Sequence, residues 1–145
     1  MAKLIVLKVN NKFIGIPSKE VMEIVEVQDV HQSPFSFPFI VGTTFWRGAI
    51  LTIVSMSYFL GDLEESKSSV YVRLAKFDNL LLEVDSVERI IDYNELKIVE
   101  RKEEGIYTGL YPSQDIFISI LNVSNFCALL EEETISVIRY GRAGR

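Results

Sequence analysis

The chain states one pattern twice, and this limits its folds more than any other feature. Ile50–Phe59 (ILTIVSMSYF) can be laid on Phe117–Phe126 (FISILNVSNF). Apolar falls on apolar, Thr52 meets Ser119, Ser55 meets Asn122, Ser57 meets Ser124 and Phe59 meets Phe126. Each copy reads as a buried strand, a polar helix cap and a short helix. Earlier in the chain Val21 and Ile24 fall on Val87 and Ile90 at nearly the same offset. The repeat predicts two similar β-subdomains on either side of the polar stretch Gly61–Ser69. Each has about five short strands, few enough that a small closed barrel is the economical way to remove its edges.

The first copy sits in Gly42–Leu60 (GTTFWRGAILTIVSMSYFL), around which the rest of the chain is expected to pack. It reads as two strands joined by a tight turn at Arg47-Gly48, then a short helix capped by the Ser55 hydroxyl. The run Ile50–Val54, broken only by Thr52, is apolar and β-branched enough to predict burial on both faces.

Taken in order, Leu4–Val9 and Phe13–Ile16 predict a hairpin about Asn10-Asn11, residues that tolerate positive φ. Ser18 is placed to cap one helical turn, and Val21–Val27 reads as a strand. Phe35–Phe39, with Pro34 and Pro38, excludes regular helix and central strand. Val70–Leu74 and Leu80–Val84 predict a hairpin about Phe77-Asp78-Asn79, and Val87–Tyr93 another strand. Asn94–Glu104 reads as a loop or a short helix end. Ile106–Tyr111 and Ile116–Leu121 predict a hairpin about Pro112-Ser113-Gln114-Asp115. Asn122 caps a final helix through Leu130, ended by Glu131–Glu133, with a last short strand at Ile135–Ile138.

The 145 residues suit one domain, and 48% apolar content suits a packed core. Fifteen basic and twenty acidic residues give a net charge of −5 without a basic stripe. That argues against nucleic acid, where phosphate contacts dominate affinity. The arginines of the C-terminal RYGRAGR read as a solvated tail. A single Cys127 among apolar neighbours excludes an internal disulfide, reads as a buried inert thiol and suits a reducing compartment. No 18-residue apolar span exists, and MAKLIVLK reads as a first strand and not a signal peptide, so the expected location is the cytoplasm.

The parts of an active site are missing from the sequence. There is one histidine, His31, expected in a surface loop, and no phosphate loop, nucleophile elbow or HExxH. Glu83 and Asp85 stand two apart and read as solvated strand residues, not as a catalytic pair. No cofactor or metal is expected. What remains is a binding module, since small barrels offer grooves and edges to partners. Arg47 beside Trp46 at a hairpin tip combines two residue types enriched at interface hot spots. The other reading is Trp46 in the core and Arg47 merely solvated, and the residues alone leave both open.

Together these residues resemble the CheW-like domain of bacterial chemotaxis. The resemblance rests on Val21-Met22-Glu23-Ile24, the proline-containing Ser33–Pro38, the Gly42–Gly48 hairpin, the run Ile50–Val54 and the helix Ser55–Leu60. In the second half it rests on Val84-Asp85-Ser86-Val87, Tyr107-Thr108-Gly109 and Ile120-Leu121-Asn122. It covers about Leu4 to Leu130. It implies a single mainly β domain, 1–145, of two intertwined five-stranded SH3-like β-barrel subdomains with short helices. The halves run about 1–62 and 68–138, an arrangement that leaves room for strand exchange between them.

The resemblance also implies function. Family members are non-enzymatic adaptors that join the histidine kinase CheA, through its regulatory domain, to the cytoplasmic tips of chemoreceptors. Such a protein reaches membrane receptor arrays through its partners, with no membrane insertion of its own. By position, Glu23 and Arg47 match an acidic residue and an arginine close together on a partner-facing surface, expected here as an ion pair. Val21 and Gly42 match positions in a receptor-facing groove, and Trp46 flanks Arg47. The chain departs from the pattern before Arg47, where Phe45-Trp46 replaces Asn-Leu. It departs also at Thr52, Ser55 and Asn122, where proline, aspartate and aspartate are usual. Ser55 and Asn122 keep a helix cap, so these changes bear on partner identity and not on the fold. The chain ends soon after the match, so a stand-alone member is expected. A diverged module that kept the fold and binds a peptide or ligand in another pathway is the second reading.

Overall fold

The structure is a computed structural model. It describes residues 2–27, 29–32, 38–61 and 70–143, with side chains through Glu133. Strands β1 (Lys3–Val9) and β2 (Lys12–Pro17) form the first hairpin, turning at Asn10 and Asn11 with φ of 49° and 67°. A 3-10 turn (Ser18–Glu20) leads to β3 (Val21–Glu26), then β4 (Ile40–Trp46), β5 (Ala49–Ser55) and helix α1 (Met56–Phe59). Next come β6 (Val70–Leu74), β7 (Leu80–Val84), β8 (Ser86–Asp92), a 3-10 turn (Glu95–Lys97), β9 (Tyr107–Ser113), β10 (Ile116–Leu121) and helix α2 (Val123–Ala143).

The strands form two five-stranded sheets, ordered β8-β1-β2-β10-β9 and β3-β6-β7-β5-β4. The second sheet is built from residues 21–84, and the first from the two ends of the chain. β6 and β7 follow Gly61–Ser69 and pair with strands that precede it, so the sheets do not lie on either side of that stretch as the repeat predicts. Their pairings match place for place. Each has one parallel pair, β2 with β10 and β5 with β7, among antiparallel ones. The repeat is therefore physical: β4-β5-α1 corresponds to β9-β10-α2. Strands β4 and β9 also share one burial sequence, from partly buried Ile40 and Tyr107 to partly buried Trp46 and Ser113. In both sheets the ladder ends at these strands and at β3 or β8.

Packing explains the long apolar runs. Leu4 and Val6 of β1 join a core belonging to the first sheet, with Ile98, Tyr111, Ile118 and Ile120. Ile5 and Leu7 face the other way, into a core shared with Val54, Val72, Leu74, Leu82 and Val84 of the second sheet. The second sheet has its own core of Val25, Val27, Leu51, Ile53, Tyr71 and Leu81. Each such side chain contributes roughly 1.5–3 kcal/mol by its burial. The helices meet at the shared core, where Phe59 and Phe126 stack edge to face at 5.1 Å. These are the two residues that the repeat aligns.

The caps are as the sequence predicts. Tyr58 N–H donates to Ser55 Oγ at 3.3 Å and Asn125 N–H to Asn122 Oδ1 at 3.0 Å. Cys127 is buried, and burial pushes its thiol up to about 11. Several expectations are corrected. Helix α2 does not stop at Glu131–Glu133, and Ile135–Ile138 is helix and not strand. No glycine or proline stands between Val123 and Tyr140, so nothing ends the helix, and three glutamates in its middle escape the dipole penalty of a C-terminus. Ser18 is the first residue of its 3-10 turn and makes no cap hydrogen bond. Pro112 and Ser113 lie in β9, so the last hairpin turns at Gln114-Asp115 alone. Ile50 is 62% exposed, so β5 is buried on both faces only beyond its first turn of pleat.

Glu83 is not solvated but buried on β7. Asp85 lies past the end of that strand, where its Oδ2 accepts from Asn10 N–H at 2.8 Å. Asn10 Nδ2 in turn donates to Ser57 Oγ at 3.0 Å, so Asp85 and Asn10 tie the first turn to α1. Residues 33–37 and 62–69, with most of the Phe35–Phe39 connection and the Gly61–Ser69 boundary, lie outside the described residues. Phe39, which is described, is core.

Among the described residues, one buried hydroxyl lacks a hydrogen bond: Tyr107 Oη on β9. Burial pushes its phenol up to about 12. An unmet buried hydroxyl costs stability, so Tyr107→Phe is expected to leave the unfolding free energy unchanged or raise it by up to about 2 kcal/mol. Denaturant unfolding checks this, and a loss above about 1 kcal/mol would mean that the hydroxyl is satisfied by a bound water.

Candidate protein-interaction site

The two edges of the second sheet, β3 and β4, come within side-chain reach of each other at Glu23. A β-bulge at Met22 shifts the β3–β6 register and sets Glu23 directly opposite Arg73. Arg73 Nη1 donates to Glu23 Oε1 at 2.9 Å, and Trp46 Nε1–H, from the end of β4, donates to the same oxygen at 3.1 Å. Arg47 Nη1 lies 3.4 Å from the other oxygen, Oε2. Its guanidinium carbon is 5.1 Å from the Trp46 ring centroid, within cation–π range.

The local backbone fixes this arrangement. Trp46 pairs with Ala49, so Arg47 and Gly48 are the whole turn, with φ of 50° and 82°. Positive φ at both central positions is what a type I′ turn needs. Gly48 adopts it freely, whereas Arg47 carries a β-carbon there at some cost. Outside the ion cluster, the cross-strand pair Phe45 and Ile50 stands 70% and 62% exposed.

Electrostatics favour the ionised carboxylate. The hydrogen bond from Arg73 does most to hold Glu23 below its ordinary value of 4.5. Partial burial opposes it, and the Trp46 N–H and the charges of Arg47 and Arg73 add to it.

Of the residues singled out in the sequence, Glu23, Trp46 and Arg47 are thus in contact. Trp46 is partly buried and packs against the second sheet's core while its N–H faces Glu23, so it is core and site at once. Val21 lies across the bulge, partly buried against the shared core. Gly42 is buried on β4 beneath the segment 29–32, and a β-carbon there would come 2.4 Å from the His31 carbonyl oxygen. His31 is exposed and pairs its backbone with Thr43 in both directions at 2.8 Å. Thr44 Oγ1 also donates to the Asp29 carbonyl, at 2.7 Å. Gly109 repeats the device under the Val99 carbonyl oxygen, with Val99 bridging Leu110.

Arg73 is the residue that sequence reasoning missed. Its signal was a lone cation in the apolar strand Val70–Leu74, but its partner depends on a register that the bulge sets. Among the described residues, no three His, Cys, Asp or Glu side chains gather as a metal site, and no helix is long and apolar enough to cross a membrane.

A family model, the CheW-like domain, matches residues 3–131. The chain belongs to the CheW-like family. A search of curated proteins finds no match to it. Among solved structures it is similar to the scaffolding protein TtCheW from Thermoanaerobacter tengcongensis, at a TM-score of 0.74 and 21% identity over 83% of this chain and 84% of that one. At that identity the likeness bears on the fold, and it agrees with the two-sheet architecture.

Within this CheW-like fold the first sheet supplies an internal comparison. At the register of Glu23 stands Arg89, paired with Val6 where Glu23 is paired with Arg73. Arg89 Nη1 donates to Gln114 Oε1 at 3.3 Å, and Gln114, at φ of 52°, occupies the turn position of Arg47. Ser113 stands where Trp46 does. The fold thus joins the same two edges without a carboxylate, a tryptophan or a second arginine.

Two outcomes are expected. Glu23 has a depressed folded-state pKa, so its contribution is fully present above the ordinary 4.5 and lost as pH falls through the lower folded-state value. The stability advantage of the wild type over Glu23→Gln should therefore vanish on acidification through this range, as measured by unfolding at several pH values. An advantage constant with pH would contradict it. Arg47→Asn removes an exposed ion pair, worth about 0–1 kcal/mol, and relieves positive φ at a residue with a long side chain. Its unfolding midpoint is expected to match or exceed that of the wild type. A clear fall would mean that Arg47 supports the fold.

Proposed function

We propose that the protein is a non-enzymatic chemotaxis adaptor that couples a CheA-type histidine kinase, through its regulatory domain, to the cytoplasmic tips of chemoreceptors. Membership of the CheW-like family carries this reading. The surface made by Glu23, Trp46 and Arg47, with Val21 and Gly42 on the same two strands, is the proposed partner-binding site. What supports it is the pairing of an exposed cation with exposed Phe45 and Ile50 on one hairpin, the mixture found at interface centres. The protein would sit at membrane receptor arrays through these partners. In this reading Gly42 acts indirectly, by letting the 29–32 segment cross β4 closely enough to hold the hairpin's base.

Co-purification tests the proposal. The full chain and Arg47→Glu would be run with the regulatory domain of the cognate kinase and, separately, with a receptor-tip fragment. The wild type is expected to retain both, and the reversal to weaken at least one by tenfold or more while remaining folded. Retention of neither by the folded wild type would overturn the adaptor reading. Equal retention of both by the reversal would remove Arg47 from the surface.

A further inference from the structure

Two arginines surround one carboxylate, and they are not equivalent. Arg73 is anchored twice: its Nε donates to the Asp78 carbonyl at 2.6 Å and its Nη1 to Glu23 Oε1 at 2.9 Å. Arg47 makes a looser approach, 3.4 Å, to the other oxygen. The Arg73 side chain is 16% exposed and that of Arg47 74%. If Arg47 left, Glu23 would keep Arg73 and the Trp46 N–H as donors. If Arg73 left, Glu23 would keep Trp46 and would hold Arg47 as its one cation.

The repeat shows that the fold does not need this excess. The first sheet makes the corresponding edge contact through Arg89 and Gln114, with Val6 in the place of Arg73. The turn does not ask for arginine either. A position with φ of 50° in a two-residue hairpin favours Asn or Gly. Gln114 carries the same positive φ, 52°, at the matching position of the first sheet, so what sets Arg47 apart is its charge and not its backbone.

We propose that Arg73 is a positioning residue that holds Glu23 and Trp46 in place by itself, leaving Arg47 free to exchange Glu23 for a carboxylate on the partner protein. The proposal rests on the adaptor reading. Arg47 can depart without leaving a partly buried charge unpaired, because its replacement is already bound. Among the described residues, the charged groups facing Glu23 are Arg73 from β6 and Arg47 from the β4–β5 turn. Asp78, beyond β6, gives its backbone carbonyl to Arg73. Loss of Arg73 should therefore weaken partner binding although Arg73 is nearly covered, since Glu23 would then retain Arg47.

Trp46 is the chain's one tryptophan, so its fluorescence reports the cluster. The full chain is titrated with acid over the range in which circular dichroism shows it folded, as wild type, Arg47→Gln, Arg73→Gln and Arg73→Lys. Wild type and Arg47→Gln are expected to show emission midpoints below the ordinary carboxylate range. Arg73→Gln should move the midpoint up, and Arg73→Lys should restore part of the shift, which also keeps the test decisive if Arg73→Gln does not fold. A midpoint moved as far by Arg47→Gln as by Arg73→Gln would overturn the positioning role.

Tryptophan-free fragments of the kinase regulatory domain and of the receptor tip are then added separately. Binding of one should change wild-type Trp46 emission as the guanidinium leaves the indole. Arg47→Gln should bind it at least tenfold more weakly with no such change, and Arg73→Gln should also bind more weakly. Wild-type affinity in Arg47→Gln would overturn the exchange. Binding of neither fragment to the folded wild type would overturn the adaptor reading, while the acid titration would still decide the role of Arg73.

Discussion

The strands at the middle of each sheet are apolar on both faces, and the remainder of the structure follows from satisfying both. One face of β1 belongs to the first sheet's own core and the other to the core that both sheets share. β5 and β10 divide in the same way, Leu51 and Ile118 to one side, Val54 and Leu121 to the other. A single sheet cannot supply two apolar environments. Each sheet wraps its own core and presses its back against its copy, and the aligned phenylalanines of α1 and α2 close the seam. The burial of each such side chain outweighs a surface ion pair by several-fold, so the packing and not the charged cluster holds the fold.

That division of labour frees the hairpin tips. The edges of each sheet approach one another through side chains at one register, and the two sheets fill that register differently. Arg89 and Gln114 make a single uncharged-to-cation contact. Glu23, Arg73, Trp46 and Arg47 make a network with a cation to spare on the surface, next to exposed Phe45 and Ile50. The two sheets hold two copies of one structural contact, and the additional charged groups lie in one of them. The plainer copy shows that this edge contact can be made without a carboxylate, a tryptophan or a second arginine.

Much of this was legible in the chain because the governing signals are local. The repeated strand–cap–helix sets the correspondence of β5-α1 with β10-α2. Asn10-Asn11 and Arg47-Gly48 set two hairpins through their tolerance of positive φ. The contact of Glu23 with Arg47 followed from the family resemblance. Illegible were the features that depend on contacts between distant residues. Arg73 meets Glu23 because a bulge at Met22 shifts one register. Glu83 is buried because β7 lies between two strands, which alternation alone does not reveal. The end of α2 was misread because three glutamates resemble a poor C-terminus, yet no breaking residue follows them.

The central claim is that the joined edge of the second sheet faces a partner. The Trp46 Nε1–H, bonded to Glu23, gives one indole resonance in an ¹H–¹⁵N spectrum, since the chain has a single tryptophan. Following that resonance while the kinase regulatory domain or the receptor-tip fragment is added tests the claim at the atom concerned. The account predicts that it shifts or broadens with saturating binding of at least one of them. Tight binding of both partners with the resonance unmoved by either would place the interfaces elsewhere on the molecule and contradict the account.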